Sequence, residues 1–142
     1  MLLLEARSRC SANQINIVSK DSGSSCKHIA TNNSRKKVRQ YKLDGEIIIN
    51  EKTCDYLVLN DEDKKAFFIE LKGCNITEAF PQFEGAVSKL KNELSGYSYN
   101  FRIIATRVGP HTLSDSNCLR FKRKYGANRL VIKVKEYNEK ID

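Results

Sequence analysis

The chain has 142 residues, which is enough for one domain with a hydrophobic core and too few for two, so we expect residues 1–142 to fold as a single unit. Its longest apolar runs are too short to cross a bilayer, and its opening residues lack a basic start, so we expect neither membrane association nor a signal peptide. A net charge of +8 favours polyanionic partners, and five irregularly spaced cysteines favour reduced thiols and a cytoplasmic protein over a disulfide scaffold.

The first third of the chain carries weak signals. Residues 2–9 are expected to form a short helix, and residues 14–19 a strand through Ile15 and Ile17. Residues 21–34, rich in Ser, Asn and Gly, are expected to form a loop. Residues 38–49 favour a strand pair or a bent strand interrupted at Asp44-Gly45, a strong turn dipeptide.

Two apolar strands follow, over residues 54–59 and 66–72, with the polar stretch 60–65 suited to a turn between them. A turn centred between Glu62 and Asp63 places Asp55 directly opposite Glu70. Alternation along the second strand puts Phe67, Ile69 and Leu71 on one face, which we expect to be the core face. Phe68, Glu70 and Lys72 then share the other face.

The second half of the chain predicts a helix and two more strands. Apolar residues recur at helical spacing after Thr77, at Phe80, Phe83, Val87, Leu90 and Leu94, and Gly96 is suited to end the helix. Residues 101–107 and 130–134 predict strands, with a short helix around 119–125 between them. A strand, a helix and a strand in succession indicate a crossover to a parallel neighbour, and therefore a mixed sheet.

Three charged side chains, Asp55, Glu70 and Lys72, stand where a hydrophobic sheet is expected. Burying a charge is costly unless a partner compensates it, and a divalent cation is the simplest partner for two carboxylates. The alternative is an exposed strand pair in a half-solvated sheet, with Asp55 at a strand edge. That alternative requires the face that carries Phe68 to be exposed.

Asp55, fourteen intervening residues and Glu70-Leu71-Lys72 resemble the PD-(D/E)XK nuclease superfamily, which includes restriction endonucleases and Holliday junction resolvases. The resemblance covers about residues 38–134, and Cys54 stands at the position of the motif's proline. It implies an α/β fold with a restriction endonuclease-like mixed β-sheet flanked by helices. It also implies a Mg²⁺-dependent nuclease, with DNA a more probable substrate than RNA and Mn²⁺ as a substitute ion.

The resemblance assigns the site as well. Asp55, Glu70 and the carbonyl of Leu71 would hold the metal, and Lys72 would orient or deprotonate a water or stabilise the phosphate. Four residues are candidate accessory groups. Glu5 and Gln82 match positions that some family members use, and Asp44 and Glu46 precede Asp55 on the sheet and could reach it.

Basic residues cluster in two places, and we expect both clusters to contact nucleic acid: Arg35, Lys36, Lys37 and Arg39, then Lys122, Arg123 and Lys124. Their alternative role is ordinary surface solubility. Cys26-Lys27-His28 resembles half a zinc site but no second half follows. A homodimer or a partner protein would supply the targeting that the chain lacks. The alternative function is a non-catalytic nucleic-acid-binding or protein-interaction module on the same fold.

Overall fold

The computed structural model describes all 142 residues, and it contains eight strands and two α-helices. The strands are β1 (Asn16–Lys20), β2 (Lys27–Thr31), β3 (Val38–Lys42), β4 (Tyr56–Asn60), β5 (Lys65–Lys72), β6 (Ser98–Ala105), β7 (Leu130–Val134) and β8 (Glu136–Lys140). The helices are α1 (Ala79–Leu90) and α2 (Ser116–Tyr125), and short 3-10 turns form at Glu5–Arg7, Ile76–Glu78, Thr112–Ser114 and Ala127–Arg129.

The strands form two mixed sheets. Strands β3, β4 and β5 are an antiparallel meander that continues into the parallel strands β6 and β7, in the order β3-β4-β5-β6-β7. Helix α1 connects β5 to β6 and α2 connects β6 to β7, so the predicted crossover to a parallel neighbour is confirmed. The second sheet has the order β1-β2-β8, in which β2 pairs antiparallel with β1 and parallel with β8.

Both faces of the five-stranded sheet are buried. On one face Phe68 and Phe101 pack with Phe83 of α1 and Phe121 of α2 in a cluster of 23 buried residues. A second cluster of 10 buried residues, which includes Phe67, lies between the two sheets. The chain is therefore a single domain of three layers, helices over a large sheet over a small sheet.

This layering corrects two expectations. The face of Phe67 is not the only core face, because Phe68 on the other face is completely buried under the helices, so the alternative of an exposed strand pair is wrong. The helices flank only one side of the large sheet, and the small sheet covers the other. Each layer removes apolar side chains from water, and burying one large apolar side chain completely stabilises the fold by roughly 1.5–3 kcal/mol.

The N-terminal predictions are the least accurate. Residues 21–34 are not one loop, because strand β2 forms within them and pairs Ile29 with Val18 of β1 and Asn138 of β8. Residues 2–9 form only the 3-10 turn Glu5–Arg7, because the Glu93 carboxylate accepts the backbone N–H groups of Leu2 and Leu3 and holds the chain extended. The expected strand at 14–19 is confirmed, shifted to Asn16–Lys20.

Candidate active site

Asp55 and Glu70 meet at the end of the β4–β5 pair. Tyr56 is paired with Ile69, and continuing that register by one residue sets Asp55 opposite Glu70, as the sequence predicts. The Asp55 N–H donates to Glu70 Oε1 at 3.0 Å, and the Leu71 N–H donates to Asp55 Oδ2 at 2.9 Å. These reciprocal bonds tie each carboxylate to the backbone of the opposite strand, so the two side chains are held side by side.

The carboxylate pair is largely removed from water. The side chain of Glu70 is 3% exposed and that of Asp55 is 13% exposed. Burial is the main cause, and the negative charge of Asp55 the second, of a Glu70 pKa that is raised to about 8. Burial also raises the pKa of Asp55, although the Leu71 N–H and the Lys42 ammonium act in the opposite direction. The protein alone therefore disfavours ionisation of both carboxylates at once, and a bound cation would favour it.

Two lysines border the pair, one on each side. Lys72 Nζ lies 3.2 Å from Glu70 Oε2 and 3.6 Å from Glu78 Oε2. Lys42 Nζ lies 3.6 Å from Asp55 Oδ1 and 3.3 Å from Asp21 Oδ1. The site therefore has a core of Asp55, Glu70 and Lys72, with additional charged groups around it.

Sequence reasoning missed three of the surrounding residues: Lys42, Asp21 and Glu78. Lys42 ends β3 and pairs with Tyr56, so only the β3–β4 register could have placed it beside Asp55. Asp21 lies in a segment taken as a loop, and nothing local indicates its position. Glu78 immediately precedes α1. Because the connection from β5 to α1 is short, Glu78 could have been predicted to lie near Lys72.

Helix α1 fixes the chain just before Asp55. A Cβ at Gly85 would lie 2.0 Å from the backbone oxygen of Lys52, so only glycine permits this approach. Gln82 is one turn earlier in the helix and lines a cleft of about 270 Å³ with Lys52, Glu78 and Pro81. Gln82 therefore lines the same cleft as Glu78, which contacts Lys72. Its Oε1 acceptor is buried and has no hydrogen-bond partner.

The three accessory acids are not part of this arrangement. Glu46 forms an ion pair with Arg9, and Glu5 forms one with Lys37. Asp44 is exposed in the turn before Gly45, whose φ of +82° suits that turn. None of the three makes a hydrogen bond or an ion pair with Asp55 or Glu70.

The first basic cluster lies at the opposite end of the large sheet from Glu70. Arg39 pairs with Leu59, four residues along β4 from Asp55, a separation of about 13 Å at 3.3 Å per residue. Three of its members are bound to acids: Lys36 to Asp63, Lys37 to Glu5 and Arg39 to Asp61. Only Arg35 has no acidic partner. Contact of this cluster with nucleic acid stays a prediction, and its placement does not link it to the carboxylate pair.

The second basic cluster, Lys122, Arg123 and Lys124, occupies the last turn of α2. Because α2 connects the carboxyl end of β6 to the amino end of β7, this turn lies away from the edge that carries Lys72. Lys124 pairs with Glu84 of α1 at 2.6 Å, while Arg123 is exposed. Nucleic-acid binding by this cluster also stays a prediction.

Cys26 and His28, which resemble half a zinc site in the sequence, have different partners in the structure. Cys26 Sγ contacts the Lys72 carbonyl oxygen at 3.6 Å, and His28 Nε2 lies 2.7 Å from the Glu139 carboxylate. No group of three or more His, Cys, Asp or Glu side chains is arranged to hold a metal ion. No helix of the chain has the length and apolar character needed to cross a membrane.

Fold and site together define a mixed α/β protein with two opposed carboxylates, one buried and one half-buried, and a lysine at the carboxyl edge of its larger sheet. Comparison of the chain with protein-family models, curated proteins and solved structures finds no match.

Proposed function

We propose that the chain is a Mg²⁺-dependent nuclease of the PD-(D/E)XK type that hydrolyses phosphodiester bonds, with DNA as the expected substrate. The observation that carries the proposal is the opposed pair of half-buried Asp55 and buried Glu70, with Lys72 two residues further along β5. The meander β3-β4-β5, followed by α1 and the parallel strand β6, supports the same family, in which these elements carry the motif.

The donor set suits Mg²⁺. This ion takes oxygen ligands and usually needs only one or two protein carboxylates, because waters and substrate oxygens complete its shell. Asp55 and Glu70 would supply these carboxylates, and the carbonyl of Leu71 a further oxygen. When bound, Mg²⁺ would lower the pKa of a water and polarise the phosphoryl oxygen.

Lys72 supplies the positive charge at the reaction centre. Its side chain is 14% exposed, so a substrate phosphate can reach the ammonium while Glu70 holds it in place. Its second partner, Glu78, is 63% exposed, and such a contact contributes about 0–1 kcal/mol and is easily exchanged. Lys72 can therefore turn from Glu78 to a phosphoryl oxygen, or orient the attacking water, without losing Glu70.

Gln82 is an accessory group in this scheme. Gln82 lines the cleft beside Glu78, and its buried Oε1 has no hydrogen-bond partner, so the amide could accept from a water in that cleft once the side chain turns toward it. Glu5, Asp44 and Glu46 have no part in it, because other residues or solvent hold them elsewhere.

One observation favours the alternative, a non-catalytic binding module. Lys72 and Lys42 place an ammonium group 3.2 Å from Glu70 and 3.6 Å from Asp55, so the pair has cationic neighbours of its own. In a binding module these contacts would be permanent. In a nuclease they are the contacts that metal and substrate replace.

A cleavage assay separates the two functions. Wild-type protein is incubated with duplex DNA, single-stranded DNA and RNA in Mg²⁺ or Mn²⁺, and cleavage is followed on gels. Lys72→Ala should reduce the cleavage rate by about 10²–10³, the usual cost of one catalytic electrostatic group. The matched control is Lys91→Ala, because Lys91 is exposed, follows α1 and forms no ion pair.

Circular dichroism should show the same fold for both variants. If the wild type cleaves no nucleic acid, including when a partner protein is supplied, the binding module is the correct function. If Lys72→Ala cleaves as fast as the wild type, the assignment of the site is wrong.

A further inference from the structure

An open groove begins at Cys74, two residues beyond Lys72 along the chain. Its walls are the loops that leave the carboxyl ends of two neighbouring parallel strands, β5 and β6, in which Lys72 is paired with Ala105. The groove measures about 710 Å³, within the range of roughly 300–1,000 Å³ typical of ligand sites. Its lining residues are Cys74, Asn75, Arg107, Val108, Gly109 and Pro110.

Hydrogen bonds connect the start of the β6–α2 loop, which forms one wall of the groove, to the end of β5. The Thr106 N–H donates to the carbonyl oxygens of Lys72, at 3.1 Å, and Gly73, at 2.9 Å. The Thr106 hydroxyl also donates to the Gly73 carbonyl oxygen. Arg107 is the next residue, so its backbone position is set relative to Lys72.

Arg107 differs from the other basic residues discussed above near the site. Lys42 and Lys72 are bound to carboxylates, whereas Arg107 is exposed and forms no hydrogen bond or ion pair within the chain. A free guanidinium binds phosphate through two parallel N–H donors. Val108 and Pro110 continue the groove with apolar surface that can pack against a sugar or a base.

We propose that this groove binds the nucleic-acid strand next to the scissile phosphate, with Arg107 contacting a backbone phosphate and Val108 and Pro110 contacting the adjoining nucleotide. The inference rests on the proposed nuclease function, because it is the position of Lys72 that puts the scissile phosphate beside the groove. Arg107 is a substrate-binding residue here, not a catalytic one.

Cys74 provides a readout that does not depend on cleavage. It lies in the groove and is the only exposed cysteine, since Cys10 is half-buried and Cys26, Cys54 and Cys118 are buried. Alkylation of Cys74 by a maleimide is followed by mass spectrometry in EDTA, with and without a short DNA oligonucleotide. At an oligonucleotide concentration of about ten times Kd, only about a tenth of the protein is free, so the alkylation rate should fall about tenfold.

Arg107→Ala completes the test, with Arg129→Ala as the matched control. Arg129 is also exposed but immediately precedes β7, at the opposite end of the sheet. Arg107→Ala should make the logarithmic salt dependence of DNA affinity shallower by about one, the effect of losing one phosphate contact, and Arg129→Ala should leave it unchanged.

The outcomes distinguish this inference from the proposed function. If DNA is cut but Cys74 is not protected and Arg107→Ala binds like the wild type, the groove inference is overturned and the nuclease stands. If Cys74 is protected and Arg107→Ala binds weakly while no nucleic acid is cut in Mg²⁺, the groove binds nucleic acid, but the nuclease proposal and the placement next to a scissile phosphate fail.

Discussion

Replacing Glu70 by glutamine removes the pH-dependent loss of folding stability that comes from burying an ionisable carboxyl group. Burial and the charge of Asp55 raise the pKa of Glu70 from 4.5 to about 8, so the folded protein disfavours the ionised form. The free energy of unfolding is therefore unaffected by Glu70 below about pH 4.5. It falls as the pH rises, and the loss is complete above about pH 8. At about 1.4 kcal/mol per pH unit, the loss reaches roughly 3 kcal/mol at about pH 7.

Glutamine keeps an acceptor for the Asp55 N–H and loses the ion pair with Lys72. We therefore expect Glu70→Gln to be about 2–3 kcal/mol more stable than the wild type at about pH 7, with almost no difference at about pH 4. The assay is urea unfolding across this pH range, followed by far-UV circular dichroism because the chain has no tryptophan.

Mg²⁺ should reverse the order of the two proteins. A ligand at about one thousand times its Kd stabilises a folded protein by about 4.1 kcal/mol, which exceeds the expected advantage of the variant, and only the wild type has both carboxylates to bind it. The reasoning is refuted if Glu70→Gln is less stable than the wild type by the same amount at every pH. That result would make Glu70 an ordinary ionised ion-pair partner of Lys72.

Three further predictions concern the contact of Gly85 with Lys52, the surface charge, and the ion pair that Glu139 of β8 forms with Arg102 of β6 at 2.7 Å. Gly85→Ala should cost about 1–3 kcal/mol in urea unfolding, because the new Cβ would overlap the Lys52 carbonyl, and unchanged stability would contradict that contact. The logarithm of DNA affinity should fall with the logarithm of salt by about 0.9 for each phosphate contacted, and a slope near zero would reject electrostatic binding. Burial opposes ionisation of Glu139, but the hydrogen bonds from His28 and Arg102 outweigh it and lower its pKa, so its stabilisation is present at neutral pH and is lost on acidification. Glu139→Gln should thus cost about 3–5 kcal/mol at neutral pH and less below about pH 4.5, whereas a pH-independent cost would argue against the ion pair.

The parts of the fold that follow from the sequence are those with local signals. Two apolar runs around a polar turn fix both strands of the β4–β5 pair and the register that opposes Asp55 and Glu70. Helical spacing predicts α1, which begins at Ala79 with Pro81 in its first turn, where proline is tolerated, but the helix ends at Leu90 and a turn covers the expected last positions up to Gly96. The short helix around 119–125 is confirmed within the longer α2.

The parts that escape prediction depend on partners far along the chain. Strand β2 is short and partly polar, and it is stabilised by β8, more than one hundred residues later, so no local pattern reveals either strand. Lys42 and Asp21 reach Asp55 from separate segments for the same reason. Counting charges in the sequence also fails to show that Lys36 and Arg39 form ion pairs with Asp63 and Asp61 of the β4–β5 turn.

The most direct test of the central claim is anomalous diffraction from a crystal of the protein soaked in Mn²⁺. We predict one strong peak within coordinating distance of the Asp55 and Glu70 carboxylates and the Leu71 carbonyl oxygen, with Lys72 beside it. The account is contradicted if the peak lies elsewhere, or if there is no peak and the two carboxylates still bind Lys42 and Lys72.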